Sequence, residues 1–152
     1  MDRSIRVGAE ISIIDRLLNQ GSSPDNQFLT GLRRDLEDLL NTLVRARTCP
    51  NYLDELNNSM VNYGITDLMT ANFTTKAERE KTFLNIRDAI LLFEPRLVNL
   101  SIVDNSDQQA PSHTLMLKII AETIFEDSHE EIIFNSKIDT ATGAVVIDVM
   151  QR

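Results

Sequence analysis

The chain has 152 residues, a formal net charge of −8, and 42% hydrophobic against 25% charged residues; a chain of this length buries roughly two thirds of its unfolded surface, so one domain over residues 1–152 with its own core is expected. The acidic balance, with no basic run longer than Arg33-Arg34, argues against nucleic acid and anionic membranes as partners, because both demand a basic surface. A single cysteine, Cys49, rules out an intramolecular disulfide, and neither a signal-peptide core nor an apolar run of about 18 residues is present, so a soluble chain in a reducing compartment without membrane insertion is expected.

In chain order, helix signals come first. Ile5, Val7, Ala9, Ile11 and Ile13 alternate like a strand, while Val7, Ile11, Ile14 and Leu18 fit a helical stripe; a short helix over about residues 10–19 is favoured, after a flexible start over 1–10. Residues 21–26 read as a loop. Leu29, Leu32, Leu36, Leu39, Leu40 and Leu43 then recur at steps of three and four, one leucine face of a helix. Its outer face pairs Arg33 with Glu37 and Arg34 with Asp38, and the Pro50 segment ends the unit. A shorter helix is predicted through Leu53, Leu56 and Met60, with Gly64 as its C-cap. Thr75 and Glu78 form a capping box that opens a long helix. Its buried stripe is Phe83, Ile86, Ile90 and Phe93, widened by Leu84 and Leu91, and Pro95 stops it.

From Arg96 the period changes to two. Val98, Leu100 and Ile102 alternate with Leu97, Asn99, Ser101 and Val103. A second strand covers about 114–123, a third is marked by Ile132, Phe134 and Ile138, and a fourth by Val145, Ile147 and Val149, after a turn at 139–143. Short polar connections make these strands antiparallel neighbours. The predicted class is α+β, with N-terminal helices packed on a small antiparallel β-sheet formed by the C-terminal part.

Catalytic chemistry finds no entry point. Carboxylates are plentiful, but those between Leu32 and Leu43 lie on the outer face of an amphipathic helix, and a sugar cleft usually adds aromatic platforms, for which the chain has no tryptophan and two tyrosines. His113 and His129 sit among polar residues, and no glycine-flanked serine elbow accompanies them. No phosphate-binding glycine loop, EF-hand spacing or metal-type cysteine pattern occurs. No enzyme activity and no cofactor or metal are expected.

One segment stands apart: Glu94-Pro95-Arg96, between the longest helix and the first strand. In an extended tripeptide, Glu94 and Arg96 project to the same side, and Pro95 stiffens the display. An acid and a base held side by side can dock on complementary charges of a partner. Spacing alone favours another reading, a helix stop whose charges pair with each other or with the second helix.

The run Leu32-Arg33-Arg34-Asp35-Leu36-Glu37-Asp38-Leu39-Leu40-Asn41-Thr42, then Asn62-Tyr63-Gly64-Ile65-Thr66-Asp67, then Glu94-Pro95-Arg96-Leu97, resembles the TssE family of type VI secretion baseplate subunits. That family belongs with a contractile-phage baseplate wedge protein often labelled "lysozyme-like". With the stretch Ile14-Asp15-Arg16-Leu17 and the closing hairpin from Thr140 to Val149, the resemblance spans nearly the whole chain and implies a structural role: a baseplate subunit that joins the wedge to the first sheath ring and templates sheath assembly, partly by strand exchange. It implies wedge partners TssF and TssG gripped through Glu94, Pro95 and Arg96, and sheath partners TssB and TssC. It also implies a cytoplasmic location in a baseplate docked at the inner membrane. The open sheet edge at Val145, Ile147 and Val149 is the expected sheath contact. Two alternatives are a bacterial stress anti-adaptor of the same fold, which binds a response-regulator adaptor and would not require Glu94-Pro95-Arg96, and a lysozyme-like hydrolase. On the baseplate reading, Arg96→Ala should leave folding nearly intact while weakening wedge assembly.

Overall fold

The computed structural model describes residues 12–18, 23–44, 54–57, 59–69, 73, 75–105, 114–125 and 128–150. The flexible start expected over 1–10, Cys49, Pro50 and His113 lie outside them. Helices α1 (Ile13–Leu18), α2 (Pro24–Asn41), α3 (Asp54–Asn57) and α4 (Lys76–Phe93) precede strands β1 (Leu97–Asp104), β2 (Thr114–Phe125), β3 (Ser128–Asp139) and β4 (Val145–Met150). The strands form one antiparallel sheet in chain order, β1-β2-β3-β4, leaving β1 and β4 as its edges. The class is α+β, as the change of period announces.

The helices cover one face of the sheet, with α2 over β4 and α4 over β1. Phe28, Leu32, Leu36, Leu39 and Leu40 of α2 join Phe83, Ile86 and Ile90 of α4 in a single core. The inward residues of the sheet complete it, among them Leu117 and Ile119 on β2, Phe134 and Ile138 on β3, and Val145 and Ile147 on β4. Each such fully buried aliphatic side chain contributes about 1.5–3 kcal/mol.

Several local expectations are corrected. The loop predicted over 21–26 is already helix by Pro24: Ser23 caps α2 by accepting from the Asn26 N–H at 3.4 Å, and Pro24 sits in the first turn, where its missing N–H costs nothing. The leucine face stops short of Leu43, which is 54% exposed, because α2 ends at Asn41 and the chain turns extended at Thr42. Leu43 instead makes a parallel bridge to Ile65, flanked by Val44 N–H to the Ile65 carbonyl and Ile65 N–H to the Thr42 carbonyl, both at 2.9 Å.

The single helix predicted around Leu56 and Met60 is two pieces, α3 and a 3₁₀ turn at Met60–Asn62, with Met60 exposed. Gly64 is not the cap of that turn, a position held by Tyr63. Its φ of +122° and its contact with the Thr42 backbone bring the parallel bridge together, and a Cβ there would collide with the Thr42 carbonyl.

Thr75 does cap α4, accepting from the Glu78 N–H at 3.3 Å and contacting its carboxylate at 2.9 Å. Leu84 and Leu91 do not widen the buried stripe; both face solvent, and Thr82 takes an inward place. Strict alternation also fails in β1, where Leu97 and Leu100 are both buried. The register slips between Val98 and Ser101, with Asn99 at φ +50°, so one extra residue turns the strand and returns Leu100 to the core.

Candidate interaction site at the α4–β1 turn

Pro95 has no N–H to continue α4, so the helix closes on Glu94, whose own N–H still bonds the Ile90 carbonyl at 2.8 Å. The Leu97 N–H then returns to the Glu94 carbonyl at 3.2 Å, and β1 begins at once. The segment is thus a turn and not the extended tripeptide expected; the reversal folds Glu94 and Arg96 onto each other, and they face inward. Glu94 is only 6% exposed, and Pro95 alone of the three is exposed.

The buried charges are paired in a fork. Arg96 donates through Nε to Glu94 Oε1 and through an Nη to Oε2, both at 2.5 Å, and the same Nη reaches Asp35 Oδ2 on α2 at 2.6 Å. Arg34 donates to the other Asp35 oxygen at 3.0 Å. The guanidinium lies over the Phe28 ring, 5.9 Å from its centroid, and the Arg96 carbonyl accepts from the Thr123 hydroxyl at 3.1 Å. One arginine therefore ties α4, α2 and β2 together. The arrangement is the helix stop whose charges pair with each other and with the second helix. Burial disfavours the charged Arg96, yet the hydrogen bonds and charge of Glu94, then those of Asp35, outweigh it and hold the guanidinium still more firmly protonated.

A groove of about 370 Å³ opens over this network, walled by Leu39, Tyr63, Phe93 and Pro95. Tyr63 and Phe93 meet edge to face at 5.2 Å. Burial first, then the charges of Asp38, Asp35 and Glu94, raise the Tyr63 hydroxyl above its usual pKa of 10.0. The groove does contain two approaching carboxylates, Asp35 and Glu94, but Arg96 fills the space between them where a glycosidic oxygen would have to lie.

The second candidate surface, β4, is placed differently. Val145 and Ile147 are buried under α2 and Val149 is partly buried, so their side chains are core and only the backbone edge can meet a partner. Even that edge is touched from within: Asn41 bonds both backbone groups of Val145, and Arg33 donates to the Ile147 carbonyl. Asp35, Tyr63, Phe28, Arg33 and Asn41 are the residues that sequence reasoning did not assign to these sites. None of them is marked by local spacing: Asp35 reads as one more outer-face acid until α2 is packed beside the α4–β1 turn, where it meets Arg96.

Fold and site define a small α+β protein with an internally paired charge network beside a four-stranded antiparallel sheet edged by β1 and β4. Residues 27–127, well over half of the chain, match the family described as "Baseplate wedge protein gp25". The chain belongs to that family, which is also the family of TssE, in agreement with the resemblance carried by its motifs. Its role is therefore structural, in the baseplate of a contractile phage tail or a type VI secretion system, among other baseplate proteins. A search of curated proteins returned no match. Among the described residues, no helix is long and apolar enough to cross a membrane.

Proposed function

We propose that the chain is the TssE-type subunit of a type VI secretion baseplate, a non-enzymatic connector between the wedge and the first sheath ring. The observation that carries the reading is the family match running through an intact Glu94-Pro95-Arg96 turn that the fold holds rigid by four side-chain contacts and a proline. A rigid turn loses little entropy on docking. Pro95 and the aromatic wall of Tyr63 and Phe93 offer the contact surface, with the Arg96 fork setting its shape, and the wedge subunits TssF and TssG are the partners at this turn. The sheath subunits TssB and TssC dock by strand pairing on the β4 edge at Val145, Ile147 and Val149, where an antiparallel meander can accept one more strand. The complex sits on the cytoplasmic side, against the inner membrane.

A pull-down of the tagged chain from its native host at mild salt, with mass spectrometry of what it retains, tests the reading. Recovery of TssF, TssG or sheath subunits supports it, and Arg96→Lys, which keeps the charge but loses the planar fork, should recover less of the wedge pair. Phage baseplate proteins in their place would move the chain to the phage branch. A response regulator as the retained protein would replace the connector by an anti-adaptor.

A further inference from the structure

The outward edge of β4 is occupied from within the chain. The Asp139 N–H donates to the Ala144 carbonyl at 2.9 Å; by the alternation of an antiparallel ladder, Val146 and Asp148 bond β3, and the backbone groups of Val145, Ile147 and Val149 turn away from it. α2 meets two of these three residues. Asn41 Oδ1 accepts from the Val145 N–H at 2.9 Å, and its Nδ2 donates to the Val145 carbonyl at 2.8 Å. Arg33 donates to the Ile147 carbonyl at 3.0 Å. A carboxamide that satisfies the N–H and the carbonyl of one residue supplies what the backbone of a neighbouring strand would supply.

The two side chains are themselves held on α2. Asn41 Nδ2 also reaches the Glu37 carbonyl at 2.8 Å, and Arg33 lies 3.7 Å from the Glu37 carboxylate, one turn along. Each therefore has a partner on α2 as well as on β4. An edge strand left bare in a free subunit is a template for pairing with another copy of the chain.

We infer that Asn41 and Arg33 form an edge guard, a side-chain surrogate for a fifth strand. It closes β4 to indiscriminate pairing and must swing aside before a partner's extended strand can add there. The inference rests on the docking reading above only for the identity of the arriving strand; the guard is a property of the isolated chain.

The test uses the full chain carrying Asn41→Ala, Asn41→Asp, or Arg33→Ala with Asn41→Ala, followed by amide hydrogen exchange and sedimentation velocity. In Asn41→Ala the Val145 amide should exchange about five- to tenfold faster, while the amides of Ile119 and Phe134 keep their rates. Asn41→Asp keeps the acceptor but sets a carboxylate oxygen against the Val145 and Glu37 carbonyls, so it should protect the Val145 amide less well than asparagine does. The double variant should self-associate about tenfold more tightly than the wild type. Unchanged Val145 exchange, a rise spread evenly over Ile119, Phe134 and Val145, or a double variant that associates no more than wild type would each overturn the guard. Binding of purified sheath subunits separates the two claims. Tighter binding by the double variant supports both, whereas faster exchange and stronger self-association with unchanged sheath affinity keep the guard and remove β4 as the sheath edge.

Discussion

Arg96 is bound by two carboxylates, and its removal strands one of them in the protein interior. Glu94 has a side chain only 8% exposed and Asp35 is a third exposed, so Arg96→Ala leaves at least one nearly buried carboxylate without its counter-ion. Breaking such a pair from one side costs several kcal/mol even where the intact pair contributes little net stability. We expect Arg96→Ala to lose about 2–4 kcal/mol in urea unfolding. This revises the sequence-based expectation that folding would be nearly intact, and it means that lost wedge binding in this variant cannot by itself locate a contact. Arg96→Lys should lose less, because the charge stays between Glu94 and Asp35. Tyr63 offers an independent reading of the same field. Its pKa is raised in the folded chain by burial and by Asp38, Asp35 and Glu94. The unfolded chain therefore releases this proton first as pH rises. The stabilisation is complete below the ordinary tyrosine pKa of 10.0 and is lost as pH rises from there through the folded value. Tyr63→Phe should flatten this alkaline decline in unfolding free energy; an unchanged slope would show that the hydroxyl does not feel the network.

At the scale of elements, the end of α2 depends on one backbone position. Gly64 adopts φ +122° against the Thr42 backbone, and the parallel bridge Leu43–Ile65 closes only because no Cβ intervenes. Gly64→Ala should cost about 3 kcal/mol or more, combining positive-φ strain with the displaced bridge. Chemical denaturation would measure this, with Gly143→Ala as the milder comparison, since a Cβ there meets only the flexible side chain of Met69. These two glycines also mark the limit of what the sequence makes legible. Periodicity identifies α2, α4 and all four strands because each buries one face of a regular repeat, and Thr75 with Glu78 announces the start of α4 through local chemistry. Gly64 looks like a helix cap from its neighbours alone, because the partner that demands its conformation lies some twenty residues earlier in the chain. The slip in β1 is hidden for a similar reason. Asn99 is anchored by its Nδ2 to Glu122 Oε2 across the sheet at 2.7 Å, a contact with no trace in local alternation. The candidate site divides along the same line. The Glu94–Arg96 pair can be read from a spacing of two, whereas Asp35, Asn41 and Arg33 enter only once α2 is laid across the sheet.

On the scale of the whole molecule, charge and docking geometry act at different places. The network Glu94, Arg96, Asp35 and Arg34 holds two acids and two bases and is neutral within itself, so it contributes little to the long-range field. The surplus of −8 is carried elsewhere, on exposed acids such as Asp38, Asp88, Glu130, Glu131 and Asp148. Exposed charge steers the approach of an oppositely charged partner and is screened by salt within about a Debye length. Buried, geometrically fixed contacts instead govern how long a complex lasts. Assembly with purified wedge subunits, followed by stopped-flow or surface methods, should therefore separate into two independent responses. Replacing Glu130 and Glu131 by lysine should slow association several-fold at low salt, remove much of its salt dependence and leave dissociation unchanged, because neither residue contributes to the α4–β1 turn. Arg96→Lys should do the reverse, with dissociation accelerated and the salt slope kept, because it alters the shape of the turn without altering the net charge. If both variants changed only the association rate, the turn would be a steering element and not the grip. If Arg96→Lys changed neither rate, the contact would have to lie on another face, and the aromatic wall formed by Tyr63 and Phe93 would cease to be its centre.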